Sequence, residues 1–264
     1  MKRLIYQVCL GKESQSELYK QCINSVASYC NKYGIEHIVQ HTAKLRITPD
    51  VFITHRSEDS YMKHGGFLPI YEKENALDLL DDYDQIAIVD ADIYIKKDAP
   101  NIFDDFGLDH AWGCVAEREM PISDEYKNKI INYSRMQYLP LQNKGLDFKP
   151  NQLGYEFFNM GLILINSKQM KPYMRNQSAK EFLRRSEFQD FVDGIGAWKW
   201  STDQTLLNYF LKKYNVPTLH MSWKWNGLYT ANTKIDECHF VHFFLKDKLP
   251  HGGENIKELL RKIA

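Results

Sequence analysis

The sequence predicts an α/β domain in which helices flank a central, mixed and mostly parallel sheet, and three observations predict it. Strand, helix and strand follow one another at the N-terminus, the order of a right-handed α/β unit. The run QIAIVD, residues 85–90, is apolar on both faces, as a central strand covered on two sides must be. Segments with the spacing of amphipathic helices separate the strand-like runs.

Along the chain, LIYQVCL at 4–10 is an apolar run of strand length. After it Leu18, Cys22, Val26 and Cys30 recur every fourth residue, which puts them on one face of a helix. Ser14 and Glu17 have the spacing of a capping box at its start, and Gly34 suits its end. IEHIVQH offers a second strand and VFITH, 51–55, a further short one. A helix is expected to open near Pro69 and to turn Ile70, Leu77 and Leu80 inward ahead of QIAIVD. FFNMGLILINS (157–167) is another strand, and STDQTLLNYFLKKY (201–214) a helix capped by Ser201 or Thr202. CHFVHFFL (238–245) is a late strand and GENIKELLRKIA a terminal amphipathic helix. The segment 124–155, rich in tyrosine, asparagine and glycine and without clear period, is expected to be an irregular excursion over one face.

Composition narrows the function before any motif does. With 264 residues, 44% of them hydrophobic, the chain can bury a sizeable core. Lysine plus arginine and aspartate plus glutamate each total 34, so no basic excess attracts a nucleic acid. Cys9, Cys22, Cys30, Cys114 and Cys238 are scattered with no C-x-x-C pair, which reads as reduced thiols and points to a reducing, cytoplasmic location. The basic start MKRLIYQVCL carries only a short apolar run, and no 18-residue apolar segment occurs, so no membrane span is expected.

The apolar run ends on Asp90 and Asp92. A D-x-D arises readily by chance, and Asp82 with Asp84 is a second instance, so position carries the argument. Ligands of open α/β sheets bind beyond the carboxyl ends of strands. Two carboxylates alternating in sequence at such an end repel one another unless a cation sits near them, and a divalent metal is the physical solution. The competing reading is a solvated turn in which Asp92 caps IYIKK.

Several blocks, in order, resemble those of the GT-A class of nucleotide-sugar glycosyltransferases, and within it glycosyltransferase family 8, to which glycogenin belongs. IYEKENALDLLDDYDQIAIVDADIYI resembles the family's helix and D-x-D strand, FFNMGLILIN its F-N-x-G strand, and STDQTLLN its D-Q-x-x-L-N segment. SWKWNGLY resembles the L-P-x-x-[YW]-N stretch and VHFFLKDKLP the V-H-F-x-x-x-x-K-P-W close. The resemblance implies a Rossmann-like GT-A fold over 1–264 as a single domain, with a nucleotide and metal half at about 1–110 and an acceptor-side half at about 111–264. The chain departs from the family in CLGKESQSELY, which lacks the usual aspartate and leaves Tyr19 to pack on uracil, and at Leu249 and His251 of the closing motif.

Carried over by match, Asp90, Ala91 and Asp92 bind the nucleotide-sugar, the two aspartates hold the metal, and His242 supplies the third protein ligand. An imidazole added to oxygen donors shifts preference from Mg²⁺ toward a softer ion, so Mn²⁺ is expected, with Mg²⁺ second. Taken alone, His242 reads as a core histidine, with His239 as the neighbouring competitor. Lys248 matches a clamp on the diphosphate. Lys73 matches a lysine near sugar and phosphate, or lies on an exposed helix face, as Glu72 and Glu74 beside it imply. Asn159, Gly161, Asp203 and Gln204 match positions lining the donor sugar, and Asp203, Gln204 and Lys248 are the catalytic candidates. Their simpler roles are a strand-edge hydrogen bond for Asn159, close strand approach for Gly161, and first-turn dipole stabilisation for Asp203 and Gln204. Asn226 either bonds an acceptor hydroxyl or sets the turn before Gly227. One or two of Trp198, Trp200, Trp223 and Trp225 are expected to stack on sugars, the rest being core.

The implied reaction moves a sugar from a nucleotide diphosphate, expected to be a UDP-sugar carrying a hexose, to a hydroxyl acceptor, expected to be a saccharide, with retention of configuration. A covalent route to retention has only Asp203 and Gln204 as candidate nucleophiles. Same-face attack within an ion pair is favoured, because the metal and Lys248 account for departure. The alternatives are an inverting GT-A enzyme with Asp193 or Glu156 as base, a nucleotidyltransferase, or a non-catalytic carbohydrate-binding or scaffold protein. The nucleotidyltransferase would want a glycine-rich phosphate loop where VCLGKES has only Gly11.

Overall fold

The computed structural model describes residues 1–11, 16–48, 62, 65, 68–244 and 256–263. The first apolar run is strand β1, Arg3–Val8, which pairs in parallel with β2, Glu36–Gln40, on one side and with β3, Gln85–Val89, on the other. β4 is Ile93–Ile95, β5 Trp112–Ala116, β6 Phe158–Asn166, β7 Thr218–His220, β8 Gly227–Leu228 and β9 Phe240–His242. The main sheet has the order β2-β1-β3-β6-β5-β7. β6 runs antiparallel to β3 and β5, and the other three pairings are parallel, which gives the mixed, mostly parallel sheet that the sequence predicts.

That topology decides where chemistry can collect. Because β6 opposes both neighbours, the carboxyl ends of β3 and β5 and the first residues of β6 share one edge: Val89 faces Leu162, and Val115 faces Asn159. A smaller sheet, β4-β9-β8, sits against this edge, with Ile93 paired to His242. β3, β5 and β6 are buried along their whole length, consistent with unbroken apolar runs covered on both faces.

Helix α1, Glu17–Tyr33, buries Leu18, Cys22, Val26 and Cys30 as spaced, and Gly34 ends it in the left-handed conformation at φ 64°. Ser16 occupies the N-cap position; Ser14 lies outside the described residues, as does VFITH at 51–55. The segment after Pro69 is a long 3₁₀ helix, Pro69–Leu79, in place of the expected α-helix. Glu72 and Glu74 are buried in it, against the alternative reading of an exposed helix face around Lys73. Glu72 accepts from the backbone amides of Lys44, Leu45 and Arg46 and from the Gln40 side chain, at 2.6 to 3.0 Å, and so ties the loop after β2 to the helix.

The expected irregular excursion is corrected over most of its length. Helix α2 spans Asp124–Gln142, with the Ser123 hydroxyl accepting from the Tyr126 amide at its start. Its buried face carries Ser134, Gln137 and Tyr138 alongside Ile130 and Leu141. Polar residues at inward positions erase the apolar periodicity by which a helix is read. Helix α3, Asp203–Lys213, is capped by Thr202, whose hydroxyl accepts from the Gln204 amide. Helix α4, Ile256–Ile263, lays Leu260 and Ile263 against Leu18, Cys22, Val241 and Phe243. All five cysteines are buried and free of disulfides. Among the described residues no helix is long and apolar enough to cross a membrane.

Candidate active site

β3 stops because the chain turns: the Ile93 amide donates to the Asp90 carbonyl at 3.0 Å, so Asp90 and Asp92 stand on one tight turn at the sheet edge. The Asp90 amide in turn donates to Gly161 O at 2.8 Å, which pins the turn to β6. Directly after the turn, β4 pairs with β9, and the Phe243 amide donates to the Asp92 carbonyl at 3.0 Å. This register carries His242 from far along the chain to the aspartates. Its Nε2 lies 3.3 Å from Asp92 Oδ1 and 3.7 Å from Asp90 Oδ2. One ligand atom from each of the three lies within 4.8 Å of the others, close enough to share an ion.

The donor set fits a divalent cation with a preference for softer first-row ions, two carboxylates and one imidazole. Packing supports the fit. A Cβ on Gly161 would lie 2.3 Å from His242 Cε1 and 2.6 Å from Nδ1, so the missing side chain is the space the imidazole occupies. Gly161 therefore admits the histidine, where the sequence pointed to a sugar or a neighbouring strand. Burial by itself depresses the His242 imidazole, but Asp92 and Asp90 outweigh it and hold it above its ordinary range. His239, the competitor, packs at a tilt against Trp225 and takes no part in the cluster.

Lys73 reaches the same place from the 3₁₀ helix. Its ammonium lies 3.2 Å from Asp90 Oδ1 and 2.8 Å from Asp203 Oδ2, and donates to the Met160 carbonyl at 2.6 Å. It is buried, and burial alone would lower it, but Asp203 and Asp90 keep it above the usual lysine range. Burial raises the Asp203 carboxyl, with Lys73 opposing. Glu74, one residue along, is 1% exposed, and among the described residues neither carboxyl oxygen meets a partner from another residue; burial, and then Asp203, push it well above the carboxylate range.

Two cavities meet at these residues. One, of about 500 Å³, is lined by Asn159, Gly161 and Gln204 and by Tyr126, Tyr133 and Phe244 opposite them. The other, of about 390 Å³, lies toward β1 and includes Tyr19, Leu10 and Ala91. Lys73, Asp90, Asp92 and Asp203 line both. The structure thus brings together Lys73, Asp90, Ala91, Asp92, Asn159, Gly161, Asp203, Gln204 and His242; Lys248 lies outside the described residues. The Gln204 side chain is held in place, its Oε1 accepting from the Met160 amide at 3.3 Å and its Nε2 facing the Tyr133 hydroxyl at 3.4 Å.

Other expectations part from the structure. Asn226 is fully buried between Asn159 and His242, out of reach of an acceptor. Trp198 and Trp225 are core residues, their indole N–H groups donating to the Gln137 carbonyl and to Asp105. Trp200 is 51% exposed, and none of the four tryptophans lines either cavity. Glu156 is held by Arg118 at 3.2 Å and Lys212 at 3.0 Å, and Asp193 is buried beside Gln189; neither faces the cavities.

Glu117, absent from the sequence-derived candidates, lines the larger cavity and is buried, accepting from the Tyr126 hydroxyl and from Asn159 Nδ2. Burial raises its carboxyl, against hydrogen bonds from Tyr126 and Asn159. The signal for it exists in the sequence, since WGCVA ends on Glu117 as QIAIV ends on Asp90.

The family model described as Glycosyl transferase family 8 matches residues 2–248. A search of curated proteins found no match. Among solved structures, mouse xyloside xylosyltransferase 1 in its apo form has a TM-score of 0.53 at 14% identity, with 95% of this chain covered and 100% of that one. An active-site mutant of LgtC has a TM-score of 0.52 at 13% identity, covering 98% and 95%. The glycosyltransferase GlyE of Streptococcus pneumoniae TIGR4 has 0.51 at 12%, covering all of this chain and 60% of its own. At such identities these likenesses speak for the GT-A fold, and the family match speaks for the chemistry: the chain belongs to glycosyl transferase family 8 and is a nucleotide-sugar glycosyltransferase.

Proposed function

We propose that this glycosyltransferase, folded as one domain, moves a hexose from a UDP-sugar to a hydroxyl of a saccharide acceptor with retention of configuration, using Mn²⁺ held by Asp90, Asp92 and His242. The observation that carries the reading is the convergence of those three side chains with Lys73 on the wall common to two cavities. The smaller cavity, with Tyr19 and Ala91, suits the nucleoside; the larger, with Asn159, Gly161 and Gln204, suits the donor sugar and the incoming acceptor.

Mn²⁺, when bound, neutralises the charge that grows on the departing diphosphate. Asp90, Asp92 and His242 would hold that ion at the end of the donor that leaves. Lys73 keeps Asp203 and Asp90 compensated, so that buried carboxylates can face an anionic donor. The bond from the anomeric carbon to the diphosphate oxygen breaks with its electron pair leaving on the diphosphate. The acceptor oxygen bonds the same face of that carbon, and its proton passes to the departing oxygen. Asp203, bound to Lys73 at 2.8 Å, is poorly placed to act as a free nucleophile, which favours this route. Glu156 and Asp193 line neither cavity, which counts against either as a base for inversion.

The test is hydrolysis of UDP- and GDP-sugars with Mn²⁺, Mg²⁺ or EDTA, followed by NMR of the product anomer once an acceptor is found. Slow Mn²⁺-dependent release of one nucleotide is expected, reduced on the order of 100-fold or more in Asp92→Ala and His242→Ala. No release, together with no thermal stabilisation by any nucleotide, would replace this reading with a binding or scaffold role.

A further inference from the structure

Asn226 touches neither cavity and no acceptor, yet it is completely buried against His242. We infer that Asn226 is a positioning residue: it holds a proton on His242 Nδ1 and aims Nε2 at Asp90 and Asp92, and its polarity is set by Glu117 and the Gly161 backbone through Asn159. The inference rests on the reading of Asp90, Asp92 and His242 as a cation site.

The assignment of each atom is forced in turn. The Gly161 backbone amide can only donate, and it lies 3.0 Å from one end of the Asn159 side chain, so that end is Oδ1. The other end, Nδ2, therefore faces Glu117 Oε2 at 2.9 Å, and a carboxyl oxygen there accepts. Asn159 Oδ1 has a second neighbour, the Asn226 side chain at 2.9 Å, which must present its Nδ2. Asn226 is then left with Oδ1 toward His242, at 3.1 Å from Nδ1. An oxygen in that position accepts and cannot donate, so Nδ1 must carry the hydrogen.

The consequence falls on the other nitrogen. With Nδ1 committed as donor, the lone pair available to a cation is that of Nε2, which already lies 3.3 Å from Asp92 and 3.7 Å from Asp90. The other tautomer, with its hydrogen on Nε2, would place an N–H where the cation belongs. Two amides and one carboxyl thus serve the histidine as a hydrogen-bond acceptor of fixed sense, the usual requirement of a metal-binding imidazole. The missing side chain at Gly161 completes the arrangement, because the backbone amide that starts the relay belongs to the residue that makes room for the ring.

The test uses ¹⁵N-histidine-labelled protein and Mn²⁺ titration, with free Mn²⁺ read by EPR and folding checked by circular dichroism. In the metal-free wild type, NMR is expected to show the His242 Nδ1–H as a slowly exchanging, hydrogen-bonded proton. Asn226→Leu, close in shape, is expected to lose that signal and to bind Mn²⁺ about 10- to 100-fold more weakly. Glu117→Leu is expected to weaken Mn²⁺ binding by about tenfold although it touches no ligand, while Glu117→Gln, which keeps an acceptor for Asn159, restores it. These two variants carry the test if Asn226→Leu fails to fold. An unprotonated Nδ1, or Mn²⁺ affinity within about twofold of wild type in folded Asn226→Leu, overturns the relay. A wild type that shows the Nδ1 proton but binds no Mn²⁺ supports the relay and counts against the cation-site reading instead.

Discussion

Glu72 and Glu74 flank Lys73 on the same 3₁₀ helix and are both buried, yet their surroundings are opposite. Glu72 is saturated by three backbone amides and a glutamine, whereas among the described residues Glu74 has no partner from another residue. Burial holds Glu74 above its unfolded value, so the folded state keeps a proton that the unfolded chain releases as pH rises through the ordinary carboxylate range. Stability contributed at this position is therefore lost with rising pH, up to the raised folded value. Glu74→Met, which removes both unpaired oxygens at similar length, is expected to stabilise the protein by about 1–3 kcal/mol at pH 7 and by clearly less at pH 4. Urea unfolding at the two pH values checks this, and an equal effect at both would refute the protonation argument. Alternating acids around a lysine look like a solvated face in sequence, and only the inward turn of the 3₁₀ segment shows otherwise.

Among elements, β6 and β9 approach each other closely at the site. β6 is buried along all nine residues, and at Gly161 the His242 ring stands where a Cβ would be. Gly161→Ala has no free direction in which to relax, because Asn159 Oδ1 lies 3.0 Å from the new carbon on another side. Displacement of His242 is expected to weaken Mn²⁺ binding at least about tenfold, with roughly 1–3 kcal/mol of stability lost to overpacking. Mn²⁺ titration and thermal melting measure the two effects separately. β3, β6, α1 and α3 were legible from period and caps, and Asp90 from its place at a strand end. α2 was not, since Ser134 and Gln137 occupy inward positions and a polar cavity needs tyrosines where a core helix would carry leucines.

At the scale of the whole molecule, the candidate site joins the main sheet to the smaller one. Asp90 and Asp92 leave β3, and His242 ends β9, which α4 and α1 hold in place through Leu260, Ile263, Leu18 and Cys22. An ion bound to all three side chains ties these parts together in the folded state only. At a concentration of Mn²⁺ 100 times its dissociation constant the expected stabilisation is about 2.7 kcal/mol. For a chain of this size that corresponds to a rise in Tm of roughly 5–10 °C. Calorimetry with and without EDTA should show it in the wild type and not in Asp92→Ala.

By itself the sequence determined the α/β class, the central apolar strands and the nomination of Asp90, Asp92 and His242, because periodicity, strand-end carboxylates and ordered family blocks are local features. Only the tertiary structure decided that Lys73 sits between Asp90 and Asp203, that Glu117 stands at the same edge, and that Asn226 serves the histidine. These are contacts among side chains distant in sequence. They arise from the reversal of β6 between β3 and β5 and from the pairing of β4 with β9, neither of which leaves a mark in local spacing.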